Sequence, residues 1–145
     1  MWFVVFVLHL LSAVLWVGGM FFALVVLRPS MAVLQPPDRM ALHGQVFRRF
    51  FLVVWHAMPI ALITGYALLF GVYGGFRGTH WSIHAMHLLG VIMGAIYLAL
   101  FFGPYTAFRR APGPESLARV RQLITLNLGL GLLTVVIAGA GRYGL

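Results

Sequence analysis

Six histidines carry most of the chemistry this sequence can offer: His9, His43, His56, His80, His84 and His87. Imidazole binds haem iron, copper and zinc, and it exchanges protons near neutral pH. His80, His84 and His87 are spaced four and three apart, which places them on one face of a helix. His9 stands in an apolar run near the N-terminus. An ionisable side chain inside a membrane is costly and ordinarily faces the bundle interior. Three clustered imidazoles with a fourth at matching depth therefore point to a metal or haem site. Cysteine is absent, which excludes thiolate ligands, Cys nucleophiles and disulfides. Met20, Met58, Met86 and Met93 lie in apolar runs. Thioethers suit Cu(I), but Met also fills gaps in ordinary cores, and no Met-x-x-x-Met ladder is present.

The elements that must position these groups are membrane spans. The chain has 145 residues, of which 62% are hydrophobic and 8% charged. A soluble domain carries about a quarter charged residues. Four segments exceed or approach the roughly 20 apolar residues a spanning helix needs: about 2–27, 50–72, 82–107 and 123–140. They predict one all-α domain, a four-helix transmembrane bundle. The first segment has no basic flank or small-residue cleavage site and reads as a retained span. Arg28-Pro29-Ser30 is expected to end it, with a loop continuing through Gln35-Pro36-Pro37-Asp38-Arg39. His43 then falls in a connecting loop and is expected to be solvated. Gly74–Gly78 forms the second connection, and Gly103-Pro104 with Ala111–Pro114 brackets the third.

The net charge of +8 comes from ten arginines against Asp38 and Glu115, with no lysine. Such basicity ordinarily suggests nucleic acid. Here the arginines fall between apolar runs, so a lipid bilayer explains them and nucleic acid does not. Eight of them, Arg28, Arg39, Arg48, Arg49, Arg109, Arg110, Arg119 and Arg121, flank two connections on the same side. The positive-inside rule puts that side in the cytoplasm of a bacterial inner membrane and both termini on the periplasmic side. Arg77 and Arg142 remain outside.

At 1.5 Å per residue, His9 lies about 9 Å outward of a first span centred near Leu15. His87 lies about 10 Å and His84 about 15 Å outward of a third span centred near Gly94. Ser12, Ala13, Gly18 and Gly19 on the first span, with Ala85, Gly90 and Gly94 on the third, are small enough to admit a flat cofactor. A haem b held axially by His9 and His84 or His87 meets these constraints. Arg77, Arg142 and Trp81 are available to its propionates, and Trp16 to its edge. A copper site would draw on His9, His84 and His87, with Met86 nearby in sequence. His56 and Asn127 fall at similar depth on the second and fourth spans, which predicts an interhelical hydrogen bond. The two halves also carry a weak repeat: His9-Leu10-Leu11 is echoed by His87-Leu88-Leu89. No phosphate loop, dinucleotide fingerprint, nucleophile elbow or His-Glu-x-x-His motif occurs, and no span holds a carboxylate.

Leu8-His9-Leu10-Leu11 followed by Leu15-Trp16-Val17-Gly18-Gly19-Met20-Phe21-Phe22 resembles the first helix of the copper-resistance D (CopD) family and of the HemJ family. Val46–Phe51 and Ala61–Tyr66 resemble the second helix of small CopD-like bacterial proteins. The HemJ resemblance implies haem b bound through a first-helix histidine, which His9 matches. It also favours His84, three residues after Trp81, as the second site residue. Met86 stands where that family has lysine. The CopD resemblance implies copper uptake or tolerance.

The sequence thus predicts a haem b protein engaged in electron transfer or a membrane oxidoreductase reaction, with a quinone or periplasmic redox protein as partner. Copper binding or import at the same histidines is the alternative. A cofactor-free accessory subunit of a larger membrane complex is a third reading. Small-residue helix faces also suit a homodimer.

Overall fold

The computed structural model describes residues 1–145 and consists of helices joined by short connections. Four helical rods are long and apolar enough to cross a membrane. They are α1 (Trp2–Val33), α2 (Pro36–Gly71), α3 (Trp81–Arg110) and α4 (Pro114–Arg142). α1 packs chiefly along α2, and α3 along α4; the two hairpins then meet through α1–α4 and α2–α3 contacts. Outward-facing side chains stay apolar, with Phe3 77%, Ile63 67%, Leu88 63% and Val136 66% exposed. Helices apolar around their whole circumference belong in lipid, and the chain is a multi-pass membrane protein.

The rods run past the breaks expected from the sequence. Arg28-Pro29-Ser30 does not end α1, because the chain absorbs the proline by widening. Residues Phe22–Leu27 form a π-helical turn, and the helix closes only through a 3-10 turn at Met31–Val33. Pro29 lacks the N–H that the Val25 carbonyl would receive. One residue further on, Ser30 donates to the Val26 carbonyl at 2.7 Å. α3 uses the same device. Pro104 sits within a π turn at Phe101–Tyr105, and the Thr106 hydroxyl donates to the Phe101 carbonyl at 2.9 Å. In lipid, freed backbone groups need such local widening and Ser/Thr partners.

The stretch Gln35–Arg49, expected to begin as a loop, is helical almost from its first residue. Gln35 is an extended N-cap, Pro36 and Pro37 fill the first helical positions, and Asp38 favours the dipole in the first turn. This turns His43 and Phe47, four apart, onto one buried face at 5% and 4% exposure. His43 is therefore packed against Phe47, ring centroids 5.7 Å apart, rather than solvated. α4 likewise begins at Pro114, with Glu115 in its first turn.

The core lies mostly toward the arginine-rich ends. Trp16, Met20, Phe47, Phe51, Tyr97, Tyr105 and Phe108 belong to one buried cluster. The Tyr97 hydroxyl donates to the Phe51 carbonyl at 2.9 Å and ties α3 to α2. Arg28 of α1 and Arg121 of α4 line the same clefts, so the arginine-rich ends of both hairpins share one side of the bundle.

Candidate functional site

Gly65 on α2 is where the histidines converge. A Cβ at this position would lie 3.1 Å from His9 Cε1, 3.5 Å from His9 Nδ1 and 4.0 Å from His87 Nε2. With no side chain in the way, imidazoles from α1 and α3 close on the same stretch of backbone. Both are partly buried.

Each ring is fixed by the backbone. His9 Nδ1–H donates to the Ala61 carbonyl at 2.9 Å, one turn before Gly65. The Thr64 hydroxyl oxygen lies 3.2 Å from the same nitrogen, and its own proton goes to the Ile60 carbonyl. His87 Nδ1–H donates to the Ile83 carbonyl at 2.8 Å. A ring held through Nδ1–H presents Nε2 as the lone-pair nitrogen, the usual way a protein orients a metal-binding imidazole. His87 Nε2 lies 3.2 Å from the Gly65 carbonyl oxygen. The ring thus spans two backbone carbonyls, Ile83 of its own helix and Gly65 of α2. Tyr66 and Phe76 wall the His87 ring edge-on, at 5.1 and 5.9 Å between centroids.

The other histidines go elsewhere. His84 is exposed and turned to the α2–α3 connection. Its Nε2–H donates to the Thr79 hydroxyl at 3.0 Å, and its ring stacks on Phe76 at 5.7 Å. His80 is the N-cap of α3, its Nδ1 accepting from the Ser82 hydroxyl at 2.9 Å and facing the Ser82 amide. Shared helix face did not bring the three rings together, because each found a nearer local partner. No group of three or more His, Cys, Asp or Glu side chains is assembled anywhere in the chain. Met86 is partly buried on α3, while Arg77 and Arg142 are exposed and unpaired at the histidine end.

The expected His56–Asn127 bond is not formed. His56 is exposed and donates from Nδ1 to the Leu52 carbonyl at 2.8 Å. Asn127 is 1% exposed and donates to the Met93 carbonyl at 3.3 Å, leaving its Oδ1 without a partner. Matching depth was not enough, because each helix packs mainly on its hairpin partner: α2 on α1, and α4 on α3. Trp16 packs edge-on against Tyr97, centroids 6.5 Å apart, inside the aromatic core rather than at a cofactor edge.

The packing around these rings gives the expected haem b no support. Three of the small residues expected to leave a slot, Gly19, Gly90 and Gly94, are used for helix packing, while Gly18 has open space beside it. Leu62 fills the space over Gly90 and Gly94, Met58 lies against Gly94, and Phe50 covers Gly19. The residues that complete the site, Ala61, Thr64 and Gly65, contribute backbone, a hydroxyl and an absence of side chain. Their traces in the sequence are the Ala61–Tyr66 stretch already noted for its resemblance and the Thr-Gly pair inside it.

Residues 44–140 match the family described as copper resistance protein D. An uncharacterized protein of Aquifex aeolicus (strain VF5) is 29% identical over 138 residues, covering 94% of this chain and 92% of its own length. No solved structure matches the chain. The matched stretch contains Gly65 and His87, and His9 precedes it.

Proposed function

Since the chain belongs to the copper resistance protein D family, we propose that it binds copper ions as its substrate at His9 and His87, within a copper-resistance-related membrane function. The observation that carries this reading is the convergence of the two rings on Gly65, with both Nδ1–H groups anchored on backbone carbonyls. Imidazole nitrogen is a competent copper donor, and Cu(I) accepts few ligands, so two rings suffice without a third protein group. Helix packing, rather than acidic side chains, defines the place, since the two carboxylates, Asp38 and Glu115, both lie in first turns at the arginine-rich end.

The positive-inside rule sets the arginine-rich ends in the cytoplasm. The histidine end then meets copper arriving from outside. The chain's own contribution is to hold two imidazole rings over one stretch of α2 backbone, with Tyr66 and Phe76 edge-on to His87.

The test uses the full chain in detergent under reducing conditions. Copper content and copper-edge X-ray absorption are measured for the wild type, His9→Ala and His87→Ala. Nitrogen-dominated coordination at about one copper per chain, lost in both variants, is the expected result for an imidazole site. Sulfur-dominated coordination, or undiminished binding in both variants, overturns the assignment.

A further inference from the structure

The arginine-rich end of the bundle holds a cleft of different chemistry from the histidine end. A cleft of about 340 Å³ opens between the end of α1 and the start of α4, lined by Arg28, Ala118, Arg121, Gln122 and Thr125. It shares Arg28 and Arg121 with a narrow inner space of about 10 Å³ that reaches His43, Leu24 and Leu27.

The charges here have no counterion within the chain. The one ion pair is Arg119 with Glu115, at 2.7 Å. Arg39, the other nearby cation, is engaged in bracing the α1–α2 connection through the Ala32 and Leu34 carbonyls at 3.1 and 2.9 Å. Arg28 and Arg121 donate no hydrogen bond from their side chains to any protein group, and neither does His43, which is 5% exposed and forms the inner wall. Arg28 and Arg121 thus face the cleft with donors to give and no acceptor supplied, and His43 lies behind them on the inner space. Thr125 cannot serve as that acceptor's donor, because its hydroxyl proton goes to the Arg121 carbonyl at 2.8 Å. Gln122 can add an amide N–H at the mouth.

We infer that this cleft binds a phosphate group, with Arg28 and Arg121 as its two cationic walls. The guanidinium fork matches phosphate oxygens in pairs of parallel hydrogen bonds. Basic pockets between helices near a membrane surface take up anionic lipid headgroups by the same chemistry.

The experiment is native mass spectrometry of the delipidated full chain, titrated separately with phosphatidylglycerol, phosphatidylcholine and inorganic phosphate. Arg28→Gln/Arg121→Gln is compared with Arg48→Gln/Arg49→Gln, which removes the same charge elsewhere. The wild type should prefer phosphatidylglycerol over phosphatidylcholine. The first double variant should bind it about thirtyfold more weakly, the equivalent of about 1 kcal/mol for each arginine, and the second should not. Phosphatidylglycerol dependence assigns a lipid headgroup; inorganic phosphate binding with the same arginine dependence assigns a free phosphate. Equal loss in both double variants would mean diffuse attraction and overturn the site. So would a wild type that binds neither phosphatidylglycerol nor inorganic phosphate above the phosphatidylcholine level, a result that does not depend on the variants folding.

Discussion

His9 of α1 and His87 of α3 meet across a single residue of α2, Gly65, and neither ring touches that residue's side chain because there is none. The contact is tight on one side. A Cβ at 3.1 Å from His9 Cε1 forces that ring to move by a few tenths of an ångström, against its bond to Ala61. Gly65→Ala should therefore weaken copper binding by about tenfold, the usual scale for disturbing what orients a metal ligand. Its thermal midpoint should hold or rise, since alanine is favoured over glycine in a helix by about 0.5–1 kcal/mol. Chelator-competition titration alongside thermal unfolding checks both. Unchanged affinity would place the metal away from Gly65.

His84 and His87 are separated by one helical turn and by Phe76. His84→Ala removes only a bond to Thr79 and a stacking contact in the connection. Its copper stoichiometry and affinity should match the wild type within about twofold, while His87→Ala loses the site, as expected when one variant removes a ligand and the other a surface group. Equal loss in the two variants would make His84 a ligand and contradict the geometry.

A visible spectrum of the purified protein, before and after dithionite, should show no stoichiometric Soret or α band, even from haem-replete cells. Leu62 occupies the slot a porphyrin would need beside Gly90 and Gly94. Haem bands abolished by His9→Ala would refute this packing argument.

His56 and Asn127 should behave as strangers. The double-mutant cycle with His56→Leu and Asn127→Leu should give a coupling energy within about 0.5 kcal/mol of zero, as for sites with no shared partner. Asn127→Leu alone should be neutral or stabilising, because it removes a buried Oδ1 with no partner. A coupling above about 1 kcal/mol would restore the interhelical bond that depth alone suggested.

The four spans were legible because membrane thickness demands long apolar runs, and composition shows these directly. Their ends were not. Pro29, Pro36 and Pro104 read as breaks, yet two of them are absorbed by π turns and one opens a helix. His9 and His87 were visible as costly side chains at matching depth. Preference for His87 over His84 was not decidable from i, i+3 spacing, since it depends on Thr79 and Phe76 in a connection whose path the sequence does not encode locally. His43 was misread for a related reason. Its burial follows from the continuation of α2 down to Pro36, which turns an apparent loop residue onto a packed face.

The π turns also set what the arginines can do. A turn closed by i→i+5 bonds takes in one residue more than an α turn. Everything beyond Phe22–Leu27 is thereby rotated by about 100° relative to an unbroken α-helix. Arg28, the first residue past the widening, owes its place opposite Arg121 to that rotation. A chain shortened by one residue in this turn would keep its span, its hydropathy and its charge. It would nonetheless carry Arg28 around to a different flank, and the paired cationic wall would be gone without any arginine having been changed.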